Sequence, residues 1–306
     1  MWKYKYKVPK ERKIRYIVHT DCKNEADDQY TLAHALMMDK FDVVGIIAGH
    51  FDKGNRNRFP EGHTAEASLD EVNKIVNLMG LEGQYPIYMG ANRGLADEKT
   101  PIDNAAVRFI IEEAMKDDYR PLYIGMQGAI TDLASAILIE PKIAERMTAI
   151  WIGGGDYPNG GEEFNLMQDI NGANVVFASD MPLWQVPRST YKHFETSLAE
   201  LQLKVEPCGE IGKYLFEQMI ELNNREIKKP SWPHGEMWSL GDEGCIAALL
   251  QEEQRLDLFT MQDAPYINKD MYYEKGKSGR KIKVFHDMDV RLDMEDLFAR
   301  LKINFG

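Results

Sequence analysis

The chain has 306 residues and a mass of 35.1 kDa, close to the roughly 250–300 residues at which single cores stop growing. Its 37 basic and 49 acidic side chains leave a net charge of −12, which argues against a nucleic-acid partner, since clustered Lys and Arg are needed to neutralise phosphates. A 44% apolar content excludes a disordered chain, and no run reaches the roughly 18 apolar residues of a membrane span. Residues 1–15 are basic and aromatic but lack the apolar stretch of a secretory signal. The cysteines Cys22, Cys208 and Cys245 are too scattered for a disulfide framework or a CxxC metal site. The expectation is an acidic, cytoplasmic protein of one domain, 1–306, with neither membrane nor nucleic acid as partner.

Apolar runs alternate with helical patterns along most of the chain. Residues 14–18 read as a strand that stops at His19-Thr20-Asp21, and Asp27-Asp28 open a helix in which Leu32, Ala35 and Leu36 recur at helical spacing. Residues 41–48 are nearly all apolar, as suits a strand covered on both faces. Helices over 66–79, 104–115, 131–139 and 173–178 then alternate with strands over 85–89, 122–125, 149–152 and 183–186, and Thr131 is placed to cap its helix. Beyond Ser197 helices dominate, at 211–222 and 242–250, before an alternating stretch around Lys283-Val284-Phe285 and a last helix at 294–301. Strand and helix in turn predict βαβ units in an α/β fold, a mostly parallel sheet with helices on both faces. Ligands in such sheets sit beyond the carboxyl ends of the strands. That selects the loops 21–28, 126–130 and 153–165 and the segment after Ala48.

The strongest local signal is Thr20-Asp21-Cys22-Lys23-Asn24-Glu25-Ala26-Asp27-Asp28. Four carboxylates so close, at a strand end and a helix start, repel one another unless a cation joins them, and calcium takes about six to eight oxygen ligands from loops of this kind. The plainer alternative is that Asp27 and Asp28 only cap the helix while Glu25 lies in water. No dinucleotide fingerprint, P-loop, GxSxG elbow or HExxH helix is present. A dehalogenase-type phosphatase is disfavoured because Asp21-Cys22-Lys23 supplies no Asp-x-Asp.

Ile17-Val18-His19-Thr20-Asp21 followed by Asp27-Asp28 resembles the amino-terminal signature of the inosine-uridine preferring nucleoside hydrolases, a strand followed by Asp-x-Asp, a Pro-Gly loop and Asp-Asp. Further segments match in order. Ile87 to Leu95 is similar to the strand ending in Gly-Ala-x-Arg-Pro-Leu, and Gln127 to Ala134 to Thr-Gly-Pro-Leu-Thr-Asn-Ile-Ala. Gly153-Gly154 with Glu163-Phe164-Asn165, then Ala178-Ser179 with Pro182 and Val186, and Leu240-Gly241-Asp242 complete the series. The resemblance implies a Rossmann-like open, mixed sheet with a helical carboxy-terminal part. It further implies a Ca2+ ion held by Asp21, Asp28, the carbonyl of Gln127 and Asp242. Asp21 would then act as base towards water, with Asp27, Glu163, Asn165 and Asn159 on the ribose hydroxyls. A nucleoside or riboside substrate and a homo-oligomer are implied in the same way.

Three departures bear on the chemistry. The loop between Asp21 and Asp27 is two residues longer than in the family; a register without that insertion would put Lys23, not Asp21, at the position of the base. Lys23 either joins the acidic cluster or balances its charge. The late His of the family is Gly241, and the earlier His-Gly loop is replaced by Thr100 to Asn104. His50, after the second strand, and the aromatic stretch containing Trp232, His234 and Trp238 are the candidates to contact the leaving group, with core packing as the alternative for the aromatics. The readings carried forward are a calcium-dependent N-glycoside hydrolase, a hydrolase of another glycoside, and a ribosyl-ligand binding protein.

Overall fold

All seven residues of β1 (Ile14–Thr20) are buried, because its two faces serve two different cores. Tyr16 and Val18 join a cluster with Leu32, Ile75, Leu215, Ile246 and Leu297, while Ile17 joins Val107, Ile110, Leu133 and Val176 on the opposite face. The computed structural model describes residues 2–54, 58–228, 235–251, 255–276 and 278–306.

From β1 the chain passes through α1 (Asp28–Met37), β2 (Phe41–Ala48) and α2 (Thr64–Leu78) to β3 (Ile87–Met89). It returns through α3 (Ala105–Ala114) to β4 (Leu122–Met126), then runs outward again by α4 (Thr131–Ile139), β5 (Met147–Ile152), α5 (Phe164–Gln168), α6 (Ile170–Ala178) and β6 (Leu183–Val186). A largely helical stretch follows. It comprises α7 (Arg188–Tyr191), β7 (Glu195–Ser197), α8 (Leu198–Lys204), α9 (Gly209–Glu226), β8 (Met237–Ser239) and α10 (Gly244–Leu250). The chain closes with β9 (Phe259–Asp263), the small ladder β10 (Tyr266–Ile267) and β11 (Tyr273–Glu274), β12 (Lys281–Phe285) and α11 (Val290–Phe305).

The eight-stranded sheet has the order β3-β2-β1-β4-β5-β6-β12-β9, parallel throughout except that β9 runs antiparallel to β12. This is an α/β fold with a mixed, mostly parallel sheet, as the alternation of patterns predicts. Strand order reverses between β1 and β4, the place where such sheets leave a crevice at their carboxyl edge. His19 pairs with Met126 across that seam, and the Gln127 N–H donates to the His19 carbonyl at 2.8 Å. Two successors of paired strands, Asp21 and Gln127, therefore lie side by side at the crevice.

The sequence offers no reading for the edge strand β9, which carries no clear alternation, with exposed Thr260, Met261 and Asp263, and pairs with β12. One local expectation is corrected. Thr131 is not the cap of α4: Ile130 occupies that position without a side-chain bond, and the Thr131 hydroxyl donates to Asp169 Oδ2 at 2.7 Å.

Candidate active site

The acidic residues are assembled from both ends of the chain. Asp27, Asp28 and Asp242 each offer a carboxylate oxygen within 4.8 Å of the others, and Asp28 is in side-chain contact with both Asp21 and Asp242. The Thr20 hydroxyl also donates to Asp28. Asp27 stands at the N-cap of α1 but makes no side-chain cap bond, so the plain capping alternative does not describe it. Asp21 is 2% exposed, and its Oδ2 has no hydrogen-bond partner among the described residues. A Cβ at Gly128 would come within 2.9 Å of the Asp21 side chain, so the residue after Gln127 must be glycine for Asp21 to reach this place.

The longer loop is tied down away from the cluster. Lys23 Nζ lies 2.9 Å from Glu71 on α2, which also accepts from Gln29 and Tyr214. Gln218 of α9 donates to the Ala26 carbonyl at 2.8 Å, and Arg58 to the Asn24 carbonyl at 2.9 Å. Asp21 is thus the residue beside Asp28, while the Lys23 ammonium is engaged by Glu71. Glu71 and Tyr214 carry no signal in the sequence. Each lies within an ordinary amphipathic helix, and only the packing of α2 against α9 makes them anchors of this loop.

Two departures from the family pattern meet in space. His19 stands where the signature has its first Asp, Asp132 stands where it has Asn, and their side chains lie 3.0 Å apart, both buried. Asp132 also accepts from the Ala91 N–H at 2.9 Å and Asn104 Nδ2 at 3.0 Å. Burial disfavours its charge, but these donors hold its carboxyl below the usual range. Beside this pair, His50 Nε2 is 3.0 Å from Thr131 Oγ1, and the buried His50 Nδ1 has no partner among the described residues. Burial lowers the His50 pKa, favouring the neutral ring.

Glu163 caps α5 and accepts four hydrogen bonds, from the N–H groups of Gly154 (2.9 Å), Asn165 (3.1 Å) and Leu166 (2.8 Å) and from the Tyr191 hydroxyl (3.0 Å). These fill the acceptor positions of a carboxylate. Asn165 Nδ2 bridges the carbonyls of Gln127 (3.2 Å) and Ile152 (2.9 Å), joining the ends of β4 and β5. The Gln127 amide is itself buried, with neither side-chain atom partnered among the described residues. Asn159 is exposed, on a loop whose carbonyl accepts from the Tyr273 N–H at 2.9 Å. Trp238 is 2% exposed and lies in the apolar core, a packing position. Trp232 and His234 lie outside the described residues. A Cβ on Gly241 would meet the Tyr191 ring at 2.8 Å. The space for a side chain at the family's late His position is therefore occupied by Tyr191, whose role no spacing in the sequence signalled.

Concentrated negative charge dominates the electrostatics. Burial, with the charges of Asp28 and Asp27, pushes Asp21 well above the ordinary carboxylate range, and burial with Asp27 does the same to Asp242. Burial raises Asp27 to about 7, with Asp28 adding to it. It raises Asp28 to about 6 against the hydrogen bonds that favour its charge. Such a set holds protons or a hard cation, and its oxygen-only donors match Ca2+ chemistry.

Raised carboxyl pKa values stabilise the fold while protonated, a contribution complete below the unfolded value of about 4 and lost as pH rises through about 6 to 7. The chelator-treated protein is therefore expected to lose melting temperature between about pH 4 and pH 8. Asp28→Asn should flatten that fall, and saturating Ca2+ should abolish it, as scanning calorimetry across the pH range will test. Separately, Gly241→His is expected to cost about 1–3 kcal/mol of overpacking in urea unfolding. Pairing it with Tyr191→Ala should recover part of that loss.

Residues 16–295 match the family model described as inosine-uridine preferring nucleoside hydrolase. The chain is 30% identical over 120 residues to an inosine-uridine preferring nucleoside hydrolase of Crithidia fasciculata, covering 38% of this chain and 36% of the relative. It is 32% identical over 144 residues to the protein of the same description from Leishmania major, covering 45% and 46%. The aligned stretches thus span about half or less of those curated relatives. Among solved structures, a plant nucleoside hydrolase superposes with a TM-score of 0.74 at 17% identity, covering 94% of this chain and 98% of that one, which shows a shared fold. With a family model matched over nearly its whole length, this chain belongs to the inosine-uridine preferring nucleoside hydrolase family.

Proposed function

We propose that this protein hydrolyses the N-glycosidic bond of ribonucleosides or closely related ribosides, with residues 1–306 working as a single domain. The observation that carries the reading is the convergence of Asp27, Asp28 and Asp242 within 4.8 Å at the strand-order reversal, with Asp21 in contact with Asp28. Family membership supports it. The oxygen-only donors, the unpartnered Asp21 Oδ2 and the close fit at Gly128 suit a hard divalent cation such as Ca2+. Asp21, Asp28, Asp242 and the Gln127 carbonyl would hold it. When bound, it supplies positive charge that offsets the repulsion of these carboxylates, grips the sugar diol and acidifies water.

The chain's own groups then have assigned tasks. Asp21 removes the proton from the attacking water as the bond to the leaving group breaks. Asp27 and Asn165 hold ribose hydroxyls, and the carboxylates stabilise the oxocarbenium-like charge that develops on the sugar. Glu163 takes a hydroxyl only in exchange for Tyr191, because its acceptor positions are already filled. Asn159 joins them on the ribose hydroxyls from its exposed loop. His50 contacts the leaving group or its neighbours as a neutral ring. Buried free cysteines are in keeping with a cytoplasmic setting, and assembly as a homo-oligomer follows the family resemblance.

Gly241 favours a second reading, a hydrolase of a riboside whose leaving group needs little protonation, since Tyr191 fills the place of the family's late His. The experiment compares inosine, uridine and a nitrophenyl riboside, with and without a Ca2+ chelator. Chelator-sensitive cleavage of all three supports the first reading, and rapid cleavage of the nitrophenyl riboside alone supports the second. Ribose binding without any cleavage would overturn both in favour of a binding protein. Asp21→Asn is expected to lower kcat by about 10²- to 10⁴-fold with an unchanged circular dichroism spectrum; retained turnover would remove Asp21 from the role of base.

A further inference from the structure

The residue after Asp242 begins a second cluster. His34 of α1, Glu243 of the turn Gly241–Glu243 and Asp293 in the first turn of α11 are each 0% exposed, and each offers one ligand atom within 4.8 Å of the others. Neither oxygen of Asp293 has a hydrogen-bond partner among the described residues, nor does Glu243 Oε1. Glu243 has the ring of His34 beside its other oxygen, but a buried Asp293 with no donor is costly unless a proton or a cation joins it to Glu243.

The histidine favours a cation. His34 Nε2 lies 3.0 Å from Asp296 Oδ2, and Arg300 Nε holds Asp296 Oδ2 at 2.5 Å. Nδ1 faces Glu243 Oε2 at 2.8 Å, so an ion bound at Nδ1 takes the place of the proton between these two groups. A ring nitrogen fixed by a carboxylate, with the other turned inward, is the usual arrangement behind a metal-ligating histidine. One imidazole and two carboxylates, closed from solvent, suit Zn2+ or a similar transition ion, whereas Ca2+ demands about six to eight oxygens.

We propose that His34 Nδ1, Glu243 and Asp293 form a second, structural site for a divalent transition metal, separate from the crevice cluster. Metal–ligand bonds of about 2.1 Å place tetrahedral donors about 3.4 Å apart, so His34 Nδ1 and Glu243 Oε2 need to open by only about half an ångström. The ion would join α1, the turn before α10 and α11, segments from the two ends of the chain, and its binding energy would become folding energy.

The test uses the full chain, stripped by chelator, saturated with Ca2+ and titrated with ZnCl2 in a calorimeter. The expected result is one Zn2+ per chain, released protons and a raised melting temperature. Asp293→Asn should abolish this binding, and Asp296→Asn should weaken it about 10- to 100-fold. Asp28→Asn, which damages the crevice cluster, should retain it. No Zn2+ or Mn2+ bound by the folded wild-type chain would overturn the proposal and assign a shared proton to Glu243 and Asp293. Equal Zn2+ binding by wild type and Asp293→Asn would equally overturn it. Should either variant fail to fold, X-ray absorption on the Zn2+-loaded wild type decides: a first shell with one imidazole nitrogen and carboxylate oxygens is expected, and a shell without imidazole overturns the proposal.

Discussion

The mutual repulsion of Asp21, Asp27, Asp28 and Asp242 is the constraint around which the rest of this molecule is arranged. Burial raises the cost of every one of these charges. A cluster left this way stores a demand for a positive ion at one spot. The parallel sheet supplies that spot by reversing its strand order between β1 and β4, so that Asp21 and Gln127 follow neighbouring strands. The helices then bring Asp28 and Asp242 to the same edge from residues more than two hundred positions apart in the chain.

Holding such a cluster in place demands rigid surroundings, and the structure answers with polar networks rather than local rules. The inserted loop is secured through Lys23, Asn24 and Ala26, to Glu71, Arg58 and Gln218. His19 and Asp132 replace two polar residues of the family pattern at once and pair with each other, so the exchange keeps the seam beneath the cluster satisfied. Gly241 and Tyr191 show the same compensation in apolar form: a side chain absent at one position is matched by a ring filling its space. These paired departures make the chain a self-consistent variant of its family rather than a damaged one.

Much of this fold was legible before any coordinates. The buried run at 41–48 coincides with β2 (Phe41–Ala48), and the pattern at 131–139 with α4 (Thr131–Ile139), because long one-sided or fully apolar segments leave few alternatives. Illegible elements were those whose pattern is weak and whose existence rests on a neighbour, such as β9 against β12. At the site, the carboxylates stood out because such density is unusual at a strand end. Their supports did not. Glu71 looks like any polar residue of a surface helix, and Trp238 reads equally well as a stacking platform or as the core residue it is.

Sequence alone therefore determined the alternation of strands and helices, the acidic loop and the family, since periodicity, composition and ordered motifs are properties of neighbouring residues. Tertiary structure alone decided that Asp28 touches Asp21 and Asp242, that Lys23 turns to Glu71, that Tyr191 stands over Gly241, and that His34 meets Glu243 and Asp293. All but the Asp21–Asp28 contact join residues far apart in the chain, and only the packing of helices onto a shared sheet sets the distance between them.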